Sequence, residues 1–136
     1  MTAWERCASL QGEIEHVNQH ILIAESDVHV RELAKAFLTE AGYTVTFASD
    51  GAEALARLAE APPTLLLTEI MLRKVDGLAL CKRVKADPAT QHVKVVVVSI
   101  LAAAARSREA GADEFIKKPL AQSKLVDTVS QVLKGS

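Results

Sequence analysis

The stretch TLLLTEIMLRKVDG, running from Thr64 to Gly77, decides the fold that the whole sequence predicts. Its apolar run Leu65–Leu67 is short and bounded by polar residues, as expected for a buried strand. Glu69 stands where this strand ends, and the loop that follows closes with Asp76-Gly77. In an open parallel sheet, functional groups collect beyond the carboxyl ends of the strands. The stretch therefore predicts a central strand that places a carboxylate at the functional edge of a sheet.

The same unit, an apolar strand followed by a helix, occurs five times from residue 20 onward. Strands are predicted at 20–24, 43–47, 64–68, 93–98 and 113–116. The fourth of these is nearly all valine, which is typical of a strand covered on both faces. Strict alternation with short connections predicts an α/β fold: a doubly wound parallel sheet with helices on both faces and right-handed crossovers.

Capping residues and helix breakers mark the ends of the predicted helices. Asp27 is placed to cap the first helix, and Asp50 with Glu53 has the spacing of a capping box for the second. Gly42 suits the left-handed position just after the first helix. An alanine-rich helix is predicted at 102–110.

Length, charge and cysteine content exclude several classes of function. The 136 residues fit one domain, which we place at 20–136, preceded by an N-terminal extension at 1–19. The net charge of −1 gives no electrostatic case for binding nucleic acid or a membrane. Cys7 and Cys81 do not form a CxxC pair, so neither a zinc site nor a disulfide framework is expected. With no run as long as a membrane span and no secretory pattern, we expect a cytoplasmic protein.

The N-terminal extension leaves two interpretations open. Trp4, Cys7, Ala8 and Leu10 share one face of a short predicted helix. The first interpretation is a frayed tail or the remnant of a linker, because chain termini are often poorly ordered. The second is a docking or dimerisation helix anchored by the only tryptophan.

Four of the five predicted strands are followed by polar residues at their carboxyl ends. These residues are Glu25, Ser26 and Asp27 after the first strand, Glu69 after the third, Ser99 at the end of the fourth and Lys118-Pro119 after the fifth. Because parallel strands end at one edge, we expect these side chains to lie close together. Carboxylates hold a hard cation, a lysine neutralises phosphate charge and a hydroxyl hydrogen-bonds a phosphoryl oxygen. The pattern predicts descent from a site for a divalent cation and a phosphoryl group, although a helix cap alone explains Asp27.

Five segments of the sequence resemble the receiver domain of bacterial two-component response regulators. They are ILIAESD, GYTVTFASDGAEAL, PTLLLTEIMLRKVDGLALCKRVK, VVVVS and AGADEFIKKPL. The resemblance extends from Ile21 to Leu133. It implies a flavodoxin-like three-layer fold with sheet order 2-1-3-4-5, and a cis peptide bond before Pro119.

The resemblance implies a role in metal and phosphoryl binding for four positions. Glu25 and Ser26 take the positions of the acidic pair that holds Mg²⁺, with Asp27 beside them. Glu69 takes the position of the phosphoacceptor aspartate, and Met71 would offer its backbone carbonyl to the metal. Mg²⁺ demands near-ideal octahedral geometry, and Ser26 removes one carboxylate ligand. We therefore expect no resident cofactor and at most weak Mg²⁺ binding by Glu25, Glu69 and the Met71 carbonyl.

The resemblance also assigns the switch residues and the site lysine. Ser99 and Phe115 correspond to the switch hydroxyl and the switch aromatic, and Lys118 with Pro119 to the lysine and its turn. The segment 99–111 is shorter than the family's usual spacing, which puts a normal output face in doubt.

Two substitutions also depart from the family's pattern. Arg73 stands where the family usually has proline. Glu69 carries one methylene more than aspartate, and a misplacement of about 1 Å can cost ~100-fold in rate. We expect its carboxylate to reach toward Lys118 and Ser99.

Taken together, these features predict a signal-transduction receiver module of a two-component or phosphorelay system. We expect a pseudo-receiver, not an enzyme, that contacts a histidine kinase or an output protein. One alternative is a functional phosphorelay receiver with a weakened Mg²⁺ site and another acceptor, such as Asp27 or Ser26. A second is a flavin- or small-ligand-binding protein of the same topology, although the sequence lacks the usual phosphate-cradling loops. The small-residue run at 100–105 either packs inside the fold or contacts a partner, so a homodimer is also open.

Overall fold

The sheet has five parallel strands in the order that the family resemblance implied. In the computed structural model, which describes residues 19–135, the strands are β1 His20–Ala24, β2 Thr44–Ala48, β3 Leu65–Thr68, β4 Lys94–Ser99 and β5 Glu114–Lys117. They lie in the order β2-β1-β3-β4-β5, and every pairing is parallel. Each predicted strand is correct to within one residue at either end. The predicted α/β class is therefore confirmed.

Five helices cover the two faces of this sheet in the described part of the chain. They are α1 Val28–Glu40, α2 Gly51–Glu60, α3 Gly77–Ala86, α4 Ala104–Glu109 and α5 Gln122–Lys134. Alternate strand residues enter the two layers: Leu22 and Leu66 pack with α2, α3 and α4, whereas Ile21 and Leu65 pack with α1 and α5. The strands are apolar on both faces because both faces are covered. Polar side chains are left to the ends of the strands.

The predicted caps are formed, with one difference in detail. Asp27 and Asp50 each accept backbone N–H groups at the start of α1 and α2. Glu53, however, accepts the N–H of Ser49 at 3.3 Å instead of completing the box with Asp50. Gly42 has a φ of 101°, the left-handed conformation that its position after α1 predicted.

Helix α4 is shorter than the sequence predicted. It spans Ala104–Glu109 instead of 102–110, and its N-cap residue Ala103 makes no capping hydrogen bond from its side chain. An alanine-rich segment has good helix propensity but no side-chain oxygen to close the first turn. The helix therefore begins later than its composition indicated.

Ser107 of α4 provides a test of packing in this layer. Its hydroxyl is fully buried and has no hydrogen-bond partner among the described residues. Because an unsatisfied buried polar group is costly, Ser107→Ala should stabilise the protein by about 1 kcal/mol in urea unfolding. Ser130→Ala, on the partly exposed side of α5, is the control and should gain only a few tenths. An equal gain for the two variants would contradict the expected cost at Ser107.

Three further sequence predictions concern the N-terminal helix, the cysteine in α3 and the lack of a membrane span. The short helix predicted around Trp4 lies outside them. Cys81 is buried in the α2–α4 layer, and burial raises the pKa of its thiol to about 11, in agreement with a core residue. Within residues 19–135 no helix has both the length and the apolarity needed to cross a membrane.

Candidate functional site

The carboxyl ends of β1, β3, β4 and β5 bring four of the predicted side chains to one edge of the sheet. In the strand register, the residue before Glu25 pairs with the residue before Glu69. Further along the sheet, Ser99 of β4 pairs with Lys117 of β5, the residue before Lys118. Because the strands end together, the chain delivers two carboxylates, a hydroxyl and an ammonium group to one small volume.

The ammonium group of Lys118 lies between two buried carboxylates. Its Nζ is 2.8 Å from Glu25 Oε1 and 2.6 Å from Glu69 Oε2. The three side chains are only 13%, 7% and 3% exposed, in the order Lys118, Glu25 and Glu69. A buried ion pair is maintained only when its geometry is good and its remaining polar atoms have partners.

Backbone N–H groups engage the other carboxylate oxygens. Ile70 and Met71 donate to Glu69 Oε1 at 2.8 and 3.2 Å, so Glu69 folds back over its own loop. Asp27 donates its N–H to Glu25 Oε2 at 3.2 Å. Glu69 Oε2 is fully enclosed and meets the lysine as an ion pair rather than as an aligned hydrogen bond. All four carboxylate oxygens thus face a positive or positively polarised group.

These contacts determine the charge of the site. Burial alone raises the pKa of Glu69, but Lys118, the Ser99 hydroxyl and the Met71 N–H outweigh it and hold the pKa below the ordinary glutamate value. Burial alone lowers the pKa of Lys118, and its two carboxylate partners raise it above the ordinary lysine value. Glu69 is therefore ionised and Lys118 protonated at neutral pH.

The two pKa shifts set an acid limit and an alkaline limit to the stability that the ion pairs contribute. The contribution of Glu69 to stability is present above the ordinary glutamate pKa and is lost as pH falls through the lowered value. The contribution of Lys118 is present below the ordinary lysine pKa and is lost as pH rises through the raised value. The ion pairs are complete across the neutral range between these limits.

Only one residue of the predicted acidic pocket contacts the site lysine. Of Glu25, Ser26 and Asp27, Glu25 alone is buried. Asp27 Oδ1 accepts the N–H groups of His29 and Val30 at 2.8 and 3.3 Å. These hydrogen bonds hold the pKa of Asp27 below its ordinary value. Asp27 therefore caps α1, and Ser26 is exposed beside it.

The predicted switch residues lie at different depths. Ser99 is fully buried, and its Oγ accepts the N–H of Leu101 at 3.3 Å. The same hydroxyl lies near the Glu69 carboxylate. Phe115 is partly buried and packs against the α2–α4 layer. The Lys118-Pro119 bond is cis, as the family resemblance implied.

Two glycines hold the loop after β3 in place, a feature that sequence reasoning missed. A Cβ added to Gly77 would lie 2.0 Å from the carbonyl oxygen of Glu69. A Cβ on Gly51 would lie 1.9 Å from the Val75 oxygen, and the Gly51 N–H donates to the carbonyl of Arg73 at 3.1 Å. The signal in the sequence was an Asp-Gly pair at the start of both α2 and α3.

The residues at this edge do not fit a Mg²⁺ site. Within residues 19–135, no cluster of three or more His, Cys, Asp or Glu side chains is placed to hold a metal ion. Glu25 and Glu69 both contact the Lys118 ammonium already. A divalent cation on these two carboxylates would lie beside the ammonium group, so three positive charges would face only two negative ones.

The fold described above is that of a known family. The model of the response regulator receiver domain matches residues 21–130. The chain belongs to the response regulator receiver family. Members of this family are signalling domains of two-component systems that interact with histidine kinases and output domains.

Solved receiver structures agree with this assignment. A putative response regulator from Chloroflexus aurantiacus superposes with a TM-score of 0.82 at 32% identity, covering 85% of this chain and 98% of the other. The signal receiver domain of a signal transduction histidine kinase from Syntrophus aciditrophicus has a TM-score of 0.81 at 33% identity, covering 87% and 92%.

Curated relatives of this receiver are longer proteins. The chain is 34% identical to the response regulator PleD of Caulobacter vibrioides, over 74% of this chain and 22% of PleD. It is 27% identical to the probable transcriptional regulator ycf27 of Guillardia theta, over 95% of this chain and 50% of ycf27. The chain thus spans half or less of these relatives, and the similarity concerns a receiver-sized part of each.

Proposed function

We propose that this receiver is a pseudo-receiver: a signalling module that acts through protein contacts, without a cycle of phosphorylation at Glu69 and without enzymatic activity. The observation that carries the proposal is the enclosure of Glu69. Its side chain is 3% exposed, and each of its oxygens already faces a donor or the lysine. A nucleophile must present a free oxygen to the group that it attacks, and this carboxylate has none free.

The same contacts favour one fixed conformation of the site, which does not depend on phosphorylation. Glu69 reaches the lysine and lies near the Ser99 hydroxyl without any added group. The state imitates phosphorylation only in part, because a carboxylate has one charge and two oxygens, whereas a phosphoryl group has nearly two charges and three oxygens. The receiver is therefore held by its own side chains rather than by a transient modification.

An apolar groove beside the site supports a role in protein contact. It has a volume of about 340 Å³ and is lined by Val30, Leu33, Ile100, Lys118, Pro119 and Leu120. Leu33 and Ile100 are 42% and 59% exposed, which is high for large apolar side chains. Lys118 belongs to both the groove and the ion-pair cluster. The surface offered to a histidine kinase or an output protein is thus connected to the state of the site.

Incubation with acetyl phosphate and Mg²⁺ tests the proposal. We expect no mobility shift of the wild-type protein on a phosphate-affinity gel. Ser26→Asp combined with Glu69→Asp restores both acids and should give a shifted band. Its rate of phosphorylation should be at least ~100-fold above that of wild type. Glu69→Asp alone is the matched control, because it shortens the side chain without adding a metal ligand.

The position of any label distinguishes the proposal from its phosphorelay alternative. A wild-type label on Glu69, found by mass spectrometry, would disprove the proposal. A label on Asp27 or Ser26, both of which are exposed, would instead support a receiver with another acceptor. An inert double variant would show that the short 99–111 segment also prevents phosphorylation. The family match favours all of these receiver functions over flavin binding.

A further inference from the structure

Lys118 contacts the same two carboxylates that a cation at this edge would have to bind. Its Nζ lies within 2.8 Å of one oxygen from Glu25 and one from Glu69. A hard divalent cation bonds carboxylate oxygens at about 2.0 to 2.6 Å, so on this pair it would lie close to the Lys118 ammonium group, and three positive charges would face two negative ones.

The remaining oxygens do not offer a second position for a cation. Glu69 Oε1 accepts two backbone N–H groups, and Glu25 Oε2 accepts one. Asp27, the only other acid of the first loop, is turned to cap α1. The position after Glu25 is Ser26, an exposed hydroxyl with no charge to contribute. Binding a divalent cation beside Lys118 would therefore break existing contacts and gain no new carboxylate.

We infer that Lys118 is the resident cation of this site, and that its removal would convert the carboxylate pair into a site for a hard divalent cation. The wild-type protein then needs no metal ion and excludes one. The inference rests on the proposed function, in which the site stays in one state.

The charge of the pair explains why a divalent cation would enter once the lysine is gone. Two carboxylates that are 7% and 3% exposed cannot both stay ionised close together without a compensating charge. Oxygen ligands of this kind suit Mg²⁺, Ca²⁺ and Mn²⁺. Ca²⁺ accepts a more irregular shell than Mg²⁺, so the pair should take Ca²⁺ at least as readily.

Thermal unfolding in MgCl₂, CaCl₂ and MnCl₂, each at matched ionic strength, tests the inference. The midpoint of the wild-type protein should not move. The midpoint of Lys118→Met should rise by about 4 °C once the cation exceeds its dissociation constant tenfold. A control variant carrying Lys118→Met, Glu25→Gln and Glu69→Gln together should not respond. Lys118→Gln, which keeps a hydrogen-bond donor, provides the same comparison if Lys118→Met fails to fold.

Two results would overturn the inference. One is a rise of the wild-type midpoint with these cations that Glu69→Gln abolishes. The other is the absence of any response in both lysine variants.

The outcome of this unfolding experiment is separable from that of the phosphodonor experiment. Wild type that binds Mg²⁺ but takes no label contradicts this inference alone, and wild type that takes a label without binding Mg²⁺ contradicts the proposed function alone.

Discussion

Lys118→Met is expected to lower the free energy of unfolding by about 3 to 5 kcal/mol at pH 7, measured by urea unfolding. The substitution leaves two buried carboxylates, Glu25 and Glu69, facing each other without a counter-ion. Methionine retains the unbranched apolar part of the lysine side chain as far as Cε, so the loss chiefly reports the removed ammonium group. Lys124→Met, at an exposed position of α5, is the control and should change stability by no more than about 0.5 kcal/mol.

The destabilisation should shrink as the pH falls toward the ordinary range of carboxylates. The wild-type protein loses the contribution of Glu69 when pH falls through the lowered pKa of that group. In the variant, protonation of one carboxylate relieves the repulsion, and this gain in stability should begin at a higher pH than the wild-type loss. A loss at pH 7 no larger than that of Lys124→Met would show that the two carboxylates do not depend on the lysine.

Gly77→Ala is expected to lower the free energy of unfolding by about 3 kcal/mol or more. The added Cβ would lie 2.0 Å from the Glu69 carbonyl oxygen, a backbone atom that cannot rotate away. The N–H of Gly77 also donates to the Ile70 carbonyl at 2.8 Å, so the clash would strain the turn that follows the site. The effect depends on close approach alone, because Gly77 is not among the glycines with positive φ.

Gly135→Ala at the end of α5 is the matched control for this prediction. Its φ is −76°, which suits alanine, and an added Cβ would lie 3.2 Å from the nearest atom, the Gln131 oxygen. We expect a change within about 1 kcal/mol. A loss for Gly77→Ala that matched this control would mean that the loop after β3 can move aside by more than an ångström at little cost.

The strands were predictable because their signals are local, whereas their order was implied by the family resemblance. Apolar runs of four to six residues, each bounded by a cap or a breaker, define the five strands to within one residue. The contact between Glu69 and Lys118 agrees with the expectation that the longer glutamate side chain reaches toward the lysine. The contact between Lys118 and Glu25, 93 residues apart in sequence, was not predicted as a pair.

Features that depend on tertiary distances could not be predicted. The rotamer that folds Glu69 onto the N–H groups of Ile70 and Met71 depends on the enclosure of the side chain by several elements. The close approach of α2 to the β3–α3 loop depends on how a helix packs, and Asp50-Gly51 indicated only a helix start. The late start of α4 depends on the lack of a capping oxygen, which helix propensity does not report.

The position of Lys118 in both the ion-pair cluster and the apolar groove has a thermodynamic consequence. Lys118 lines the groove and its side chain is 13% exposed, so a molecule that fills the groove and covers this side chain would remove water from it. Charges attract more strongly when water is excluded, so occupancy of the groove would strengthen both ion pairs. Linkage is reciprocal, and complete ion pairs must then favour occupancy by the same free energy. Acid that protonates the carboxylates should therefore weaken a partner's affinity even though the partner touches neither of them.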